Sequence, residues 1–182
     1  MLTPADLVDL THQQFSNDFL LKLRQIYSAE NYCLRRLPLV AGKLPTGPLP
    51  HLLNNHLPLI KARKADIERI FAELDLKAGG IVCAIFKKLI RKAGNVIYHI
   101  KARQSNTSLE VIDVLLEISI YRGHVYNNLH QMSQKFEHPL ITPLVKKCVE
   151  EEDRFFYELL HIRKTYEVTD DSKTASSSFE VA

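Results

Sequence analysis

The stretch Gln25-Ile26-Tyr27-Ser28-Ala29-Glu30-Asn31-Tyr32-Cys33 places one carboxylate, that of Glu30, in the middle of an apolar stripe. The residues of this stripe recur at spacings of three and four, which is the period of an α-helix that packs on partners. They are Phe19, Leu23, Ile26, Glu30, Cys33, Leu37 and Val40. A carboxylate that is buried without a partner is costly, so it must be neutralised, paired with a cation or bound to a metal. The residues that face Glu30 therefore decide the chemistry of the protein.

Three more long segments have the helical period, and each carries a polar interruption in its apolar stripe. The second segment, at about 49–74, includes His56 and Arg63, and it follows a turn that contains two prolines and a glycine. The third, which begins near residue 108, includes Arg122, and the last, which begins near residue 139, includes Glu152. With only six glycines and no alternating β-branched residues, the sequence predicts an all-α fold.

The order of the segments predicts a ferritin-like four-helix bundle. Two antiparallel helices are followed by a fifth, shorter helix at 81–101 as a helical crossover, and then by two more antiparallel helices. In this architecture, inward-facing carboxylates and Glu-x-x-His pairs hold a dinuclear metal site. We predict a short N-terminal helix within 1–15, the bundle at 16–166, and a disordered tail at 167–182, whose small polar residues cannot offset the entropy of ordering.

The composition predicts a soluble, cytoplasmic protein of one domain. The chain has 182 residues, of which 46% are hydrophobic and 25% charged. Three cysteines without paired spacing fit neither a disulfide framework nor a zinc ribbon. The formal charge of +3 is modest, and no apolar run approaches the ~20 residues that span a bilayer. We therefore predict neither nucleic acid nor membrane as a partner.

Several motifs, in order and spacing over residues 16–163, resemble the YciE/YciF-type ferritin-like stress proteins. They are Ile26-Tyr27-Ser28-Ala29-Glu30-Asn31 with Leu37-Pro38, Asn55-His56-Leu57, Glu68-Arg69-Ile70-Phe71, Cys83, Leu89-Ile90 and Glu150-Glu151-Glu152. The resemblance implies a ferritin-like bundle, a homodimer, a role in bacterial stress responses, and a carboxylate-rich site similar to rubrerythrin-type di-iron centres.

The chain departs from the family pattern at four positions where that pattern has an acid. The resemblance implies a carboxylate shortly after His56, but Leu59 stands there. The acids of the family's Glu-His-Tyr-Glu motif in the third long helix are replaced, because this chain reads Ser119-Ile120-Tyr121-Arg122. An acid expected four residues after Glu152 is Phe156. The di-iron site is therefore predicted to be degenerate.

Two arginines share the inward stripes with the remaining acids, so we predict a buried salt-bridge network of Glu30, Arg63, Arg122 and Glu152. Each guanidinium is permanently charged and its donors match a carboxylate, so two acids and two arginines balance without metal. This hypothesis predicts no cofactor, no catalytic residue, and a stress-associated structural protein with an unidentified protein partner. The alternative is a ferroxidase or peroxide-handling protein that binds iron or manganese through Glu30, His56 and Glu152.

Overall fold

The computed structural model describes residues 4–100, 107–136 and 138–177, which form five α-helices and, within these ranges, no strand. The helices are α1 (Pro4–Ala41), α2 (Pro48–Glu73), α3 (Ala84–Ile100), α4 (Thr107–Phe136) and α5 (Ile141–Ser177). The predicted all-α class is confirmed. None of the described helices combines the length and the hydropathy needed to cross a membrane.

The breaks between helices follow the local sequence. Pro48 lies in the first turn of α2, where its missing N–H costs nothing. The chain leaves α2 at Asp75, whose φ of 54° lies in the left-handed region that aspartate tolerates. The amide of Leu76 then donates to the carbonyl of Phe71 at 2.9 Å and closes the helix end.

The four long helices form a ring around one core. α1 packs on α2 and α4, α5 packs on the same two helices, and the shorter α3 packs on α4 as the crossover. The neighbours α1 and α4 are antiparallel, because Glu30 contacts Arg122 whereas Val40, later in α1, lines a small cavity with Val111, earlier in α4. This arrangement confirms the predicted ferritin-like bundle.

The start of α1 and the end of α5 differ most from the predicted boundaries, and α3 begins at Ala84, three residues after its predicted start. Instead of a separate short N-terminal helix, α1 runs unbroken from Pro4, because no proline or glycine interrupts residues 5–37. At the other end, α5 continues to Ser177, eleven residues past the predicted end of the bundle at Tyr166, because no proline or glycine follows Pro143 to end it. Residues 1–3 and 178–182 of the two predicted terminal segments lie outside the described residues.

Aromatic contacts fix α3 against the bundle. The ring of Phe86 is fully buried and stacks on Tyr121 of α4, with 5.0 Å between ring centroids. It also meets Tyr32 of α1 edge-on at 5.6 Å. One face of α3 is thereby held against α4 and α1, and the opposite face is directed to solvent.

Candidate functional site

Four charged side chains, one from each long helix, meet inside the ring. Glu30 of α1, Arg63 of α2 and Glu152 of α5 have no exposed surface, and Arg122 of α4 is 1% exposed. Each belongs to the apolar stripe of its helix, so the packing that buries the stripe also buries the charge. Because burying a charge is costly, the contacts among these four groups decide whether the core is stable.

Arg122 joins the two acids. Its Nη2 atom lies 2.8 Å from Oε1 of Glu30 and 2.9 Å from Oε2 of Glu152. Its Nε atom also donates to Oε1 of Glu30 at 3.2 Å. Burial by itself lowers the pKa of Arg122, but the carboxylates of Glu152 and Glu30 outweigh burial and hold that pKa well above its usual value. Arg122 is therefore a permanent cation between two carboxylates.

Arg63 approaches the same acids from α2 at longer range. Its Nε atom lies 3.6 Å from Oε1 of Glu30, and its Nη2 atom lies 3.4 Å from Oε2 of Glu152. Its Nη1 atom is 3.9 Å from Oε2 of Glu151, whose side chain is 14% exposed. These contacts are Coulombic, since direct N–H···O hydrogen bonds are shorter. The closest polar partner of Arg63 is the ring of His56.

The neutral ring of His56 accepts a hydrogen bond from Arg63. The two atoms, Nη2 of Arg63 and Nε2 of His56, are 2.9 Å apart, and a guanidinium can only donate. The Nε2 lone pair is therefore occupied, and the ring proton resides on Nδ1. Burial, followed by the charges of Arg122 and Arg63, lowers the pKa of His56 far below 6.5. The ring stacks on Phe155 with 3.6 Å between centroids, which holds it in place.

Two hydroxyl donors complete the site. Tyr126 donates to Oε1 of Glu30 and Ser119 donates to Oε1 of Glu152, both at 2.6 Å. Neither residue was among the site residues predicted from the sequence. The available signal was spacing: Ser119 precedes Arg122 by three residues and Tyr126 follows it by four, so all three share one face of α4.

Burial also decides the protonation of the groups around the network. The pKa of Glu152 is raised, first by burial, although Arg122 and Arg63 act in the opposite direction. Burial raises the pKa values of Cys33 and Cys148 to about 12, so both thiols are protonated at neutral pH. Neither thiol is a reactive nucleophile in the folded state.

The site does not fit a metal ion. Of the predicted ligands, Glu30 and Glu152 are both engaged by Arg122, and the Nε2 lone pair of His56 is engaged by Arg63. The Oε2 atoms of Glu30, Glu151 and Glu152 are buried without a hydrogen-bond partner. Those of Glu151 and Glu152 lie within 4 Å of an arginine nitrogen, and three carboxylate oxygens without a free imidazole fall short of a di-metal ligand set. Across the described part of the chain, no group of three or more His, Cys, Asp or Glu side chains is arranged to hold a metal.

Comparisons with known proteins identify the family and the fold. A family model described as "Domain of unknown function (DUF892)" matches residues 14–166. The chain is similar in structure to the Escherichia coli stress protein YciF, with 22% identity, a TM-score of 0.74, and coverage of 82% of this chain and 94% of that one. It is also similar to YcfI, a putative structural protein from Rhodopseudomonas palustris, with 20% identity and a TM-score of 0.71. That match covers 80% of this chain and 92% of YcfI. No curated protein matches the sequence.

Proposed function

The chain belongs to the DUF892 family, and we propose that it is a YciF-like, stress-associated structural protein in which a buried Glu/Arg network replaces the two metal ions of a ferritin-like site. The resemblance to YciE/YciF-type proteins, predicted from the motifs, is confirmed by the family match and the fold. The family description assigns no activity, so the proposed function rests on the chemistry of the buried site and on the stress association of YciF.

The observation that carries the proposal is the position of Nη2 of Arg122, within 3 Å of a carboxylate oxygen of both Glu30 and Glu152. A bridging metal would need these same carboxylates. A dication about 4 Å from a guanidinium is repelled by roughly 8 kcal/mol at an effective dielectric of 20. Metal binding would therefore require Arg122 to leave a position that the surrounding acids stabilise.

The network also offers a structural role. It connects α1, α2, α4 and α5 at one level of the bundle, and each acid contacts arginines from two different helices. A helix that slipped by one turn would leave a charge buried without its partner, which is strongly destabilising. We propose that the network sets the register of the four helices, the task that metal ligation performs in a di-metal bundle.

Elemental analysis tests this function directly. Tag-free protein is incubated with Fe(II) without oxygen, or with Mn(II), desalted, and assayed for metal per chain. We expect far less than one equivalent of either metal and no ferroxidase activity. One or more equivalents of iron or manganese per chain would refute the replacement of metal by salt bridges and would support the alternative site of Glu30, His56 and Glu152.

The Arg122→Glu variant gives the complementary measurement. This variant removes the central cation and adds a third carboxylate near Glu30 and Glu152. We expect it either to acquire iron or manganese or to lose thermal stability without metal, because three buried acids need cations. An unchanged melting temperature together with no metal uptake would contradict the proposed role of Arg122.

The cellular part of the proposal needs separate tests. If the protein is stress-associated, deletion of its gene should lower survival under at least one of a panel of stresses, and the unaltered gene should restore it. The resemblance also implies a homodimer and the composition a cytoplasmic location. Light scattering of the purified protein and fractionation of cells test these two predictions.

A further inference from the structure

The positive charge of the protein is concentrated in one segment. Residues 76–109 contain seven Lys or Arg residues and no Asp or Glu, although the whole chain has a formal charge of only +3. The rest of the chain is therefore net acidic. The prediction of neither nucleic acid nor membrane as a partner rests on the total charge and on the absence of a membrane-spanning apolar run, and the total charge hides this separation.

Three basic side chains of α3 are exposed to solvent and form no salt bridge with any described residue. Lys87, Lys88 and Arg91 lie on the face opposite Phe86, and all three are exposed. Among the described residues, none of these three cations forms a salt bridge, whereas Lys92 on the flank pairs with Glu117. The bundle thus does not use these three charges for its own stability.

Exposed aliphatic side chains adjoin these cations. Ile81 and Val82 precede α3 and are 42% and 50% exposed, and Ile85 in its first turn is 65% exposed. Arg35 of α1, also exposed, lines a surface groove together with Val82. We call Ile81, Val82, Ile85, Lys87, Lys88 and Arg91 the α3 surface.

We propose that the α3 surface docks on a bilayer that contains anionic lipids. Cations bind the negative headgroups, and aliphatic side chains enter the boundary between headgroups and acyl chains, so the two kinds of residue act together. Docking of this kind needs no membrane-spanning helix.

Two other occupants fit the surface less well. A nucleic acid would pair with the cations but would leave the three aliphatic side chains without an apolar partner, because protein–nucleic acid interfaces are polar. A second copy of the chain in a two-fold dimer would place this same cationic surface against itself, which like-charge repulsion disfavours. Of these three occupants, the anionic lipid surface is the one that satisfies both the charge and the apolar area.

Vesicle sedimentation with the full-length protein tests the proposal. We expect the protein to pellet with vesicles of equal parts phosphatidylglycerol and phosphatidylcholine, to remain in solution with phosphatidylcholine alone, and to be released as salt is raised. Equal binding to both kinds of vesicle, or binding to neither, would overturn the proposal.

Variants then assign the binding to the α3 surface. Because each cation near an anionic membrane contributes roughly 1 kcal/mol, Lys87→Gln/Lys88→Gln/Arg91→Gln should weaken vesicle binding about 100-fold. The matched control Lys61→Gln/Lys146→Gln/Lys164→Gln removes the same charge from exposed positions on α2 and α5 and should change binding far less. Equal losses in the two triple variants would refute the assignment, and circular dichroism verifies that both are folded.

Ile85→Ser separates lipid from nucleic acid. It leaves every cation in place and removes an aliphatic contact, so we expect about a tenfold loss of vesicle binding. If Ile85→Ser binds vesicles as the wild type does, or if the protein retards a DNA duplex but does not pellet with anionic vesicles, the lipid proposal is wrong.

Discussion

Arg122→Gln is the sharpest perturbation of the buried network, because it removes one cation and leaves both acids in the core. In the wild type, Arg122 makes the shortest contacts to Glu30 and Glu152, at 2.8 and 2.9 Å. After the substitution, the acids retain only Arg63, at 3.6 and 3.4 Å, together with their hydroxyl donors. The two carboxylates then share a single remaining guanidinium.

The expected loss is large on the scale of protein stability. Removal of one partner of a buried ion pair costs about 3–5 kcal/mol, mainly because the other charge stays buried without compensation. For a protein of this size, 1 kcal/mol lowers the melting temperature by about 2–4 °C, so the expected decrease is roughly 6–20 °C. The stability of a whole domain is only about 5–15 kcal/mol, so the variant is expected to be marginal at physiological temperature.

Thermal and urea unfolding followed by far-UV circular dichroism measure this loss. Arg154→Gln removes an exposed arginine of α5 and is the matched control, for which we expect a change within about 0.5 kcal/mol. The double variant Arg122→Gln/Glu152→Gln restores the balance of one acid and one arginine. It should be more stable than the sum of the single effects predicts, with a coupling of about 0.5–3 kcal/mol.

Two results would show that Arg122 does not stabilise the buried acids. If Arg122→Gln unfolds at the same temperature as Arg154→Gln, the charge of Arg122 does not compensate the buried acids. The same conclusion would follow if the effects of Arg122→Gln and Glu152→Gln were additive, because groups in direct contact within one network must be coupled.

Three further predictions concern protonation and close packing. The pKa of His56 is depressed in the folded protein, so as pH falls below 6.5 the unfolded chain binds a proton that the folded protein does not. The free energy of unfolding of the wild type, measured by urea titration relative to His56→Gln, should therefore decrease by about 1.4 kcal/mol per pH unit. An equal pH dependence of the two proteins would contradict a buried neutral ring. Burial raises the pKa of Glu152 in the folded protein, so its contribution to stability is present below pH 4.5 and is lost as pH rises through that raised pKa. The free energy of unfolding of the wild type relative to Glu152→Gln should therefore decrease above pH 4.5. An increase would show that folding lowers the pKa of Glu152 instead. A Cβ on Gly80 would overlap the hydroxyl of Ser28 and lie 3.3 Å from the Cα of Ser28, so Gly80→Ala should destabilise the protein by about 1–3 kcal/mol in thermal unfolding. Gly94 in α3 has open space around it, so Gly94→Ala should stabilise the protein by up to about 1 kcal/mol. Equal effects of the two substitutions would refute the close approach of Gly80 to Ser28.

The fold was accessible from the sequence because its signals are local. A period of three and four residues identifies each long helix, and proline or glycine marks the turns at 45–48 and 79–80. The same period assigned Glu30, Arg63, Arg122 and Glu152 to inward stripes, and all four are buried. The boundaries at Pro4 and Ser177 were harder to predict, because polar residues without helix breakers can either continue a helix or remain disordered.

The site was only partly accessible. The helical period assigned four charged residues to the apolar stripes but did not predict which acid contacts which arginine. These contacts depend on how the helices are rotated and shifted relative to one another. The helical period also missed Tyr126 and Ser119, which donate to Glu30 and Glu152 from the same face of α4 as Arg122. His56 was considered as a ligand. It shares one face of α2 with Arg63, but the two residues are about 10 Å apart along the helix axis, so only the structure shows that the arginine side chain extends to the imidazole ring.

By itself, the sequence determined that Glu30 lies in an apolar helical stripe and that the protein must either neutralise it or place cations near it. Periodicity and the cost of a buried charge are properties of the residues alone. Only the tertiary structure decided which cations these are. Arg122, from the antiparallel neighbour α4, lies at hydrogen-bonding distance, whereas Arg63 lies farther from the acids and bonds to His56 instead. The physical reason is that interhelical packing positions side chains to within an ångström, and at that scale a direct ion pair differs from a longer Coulombic contact.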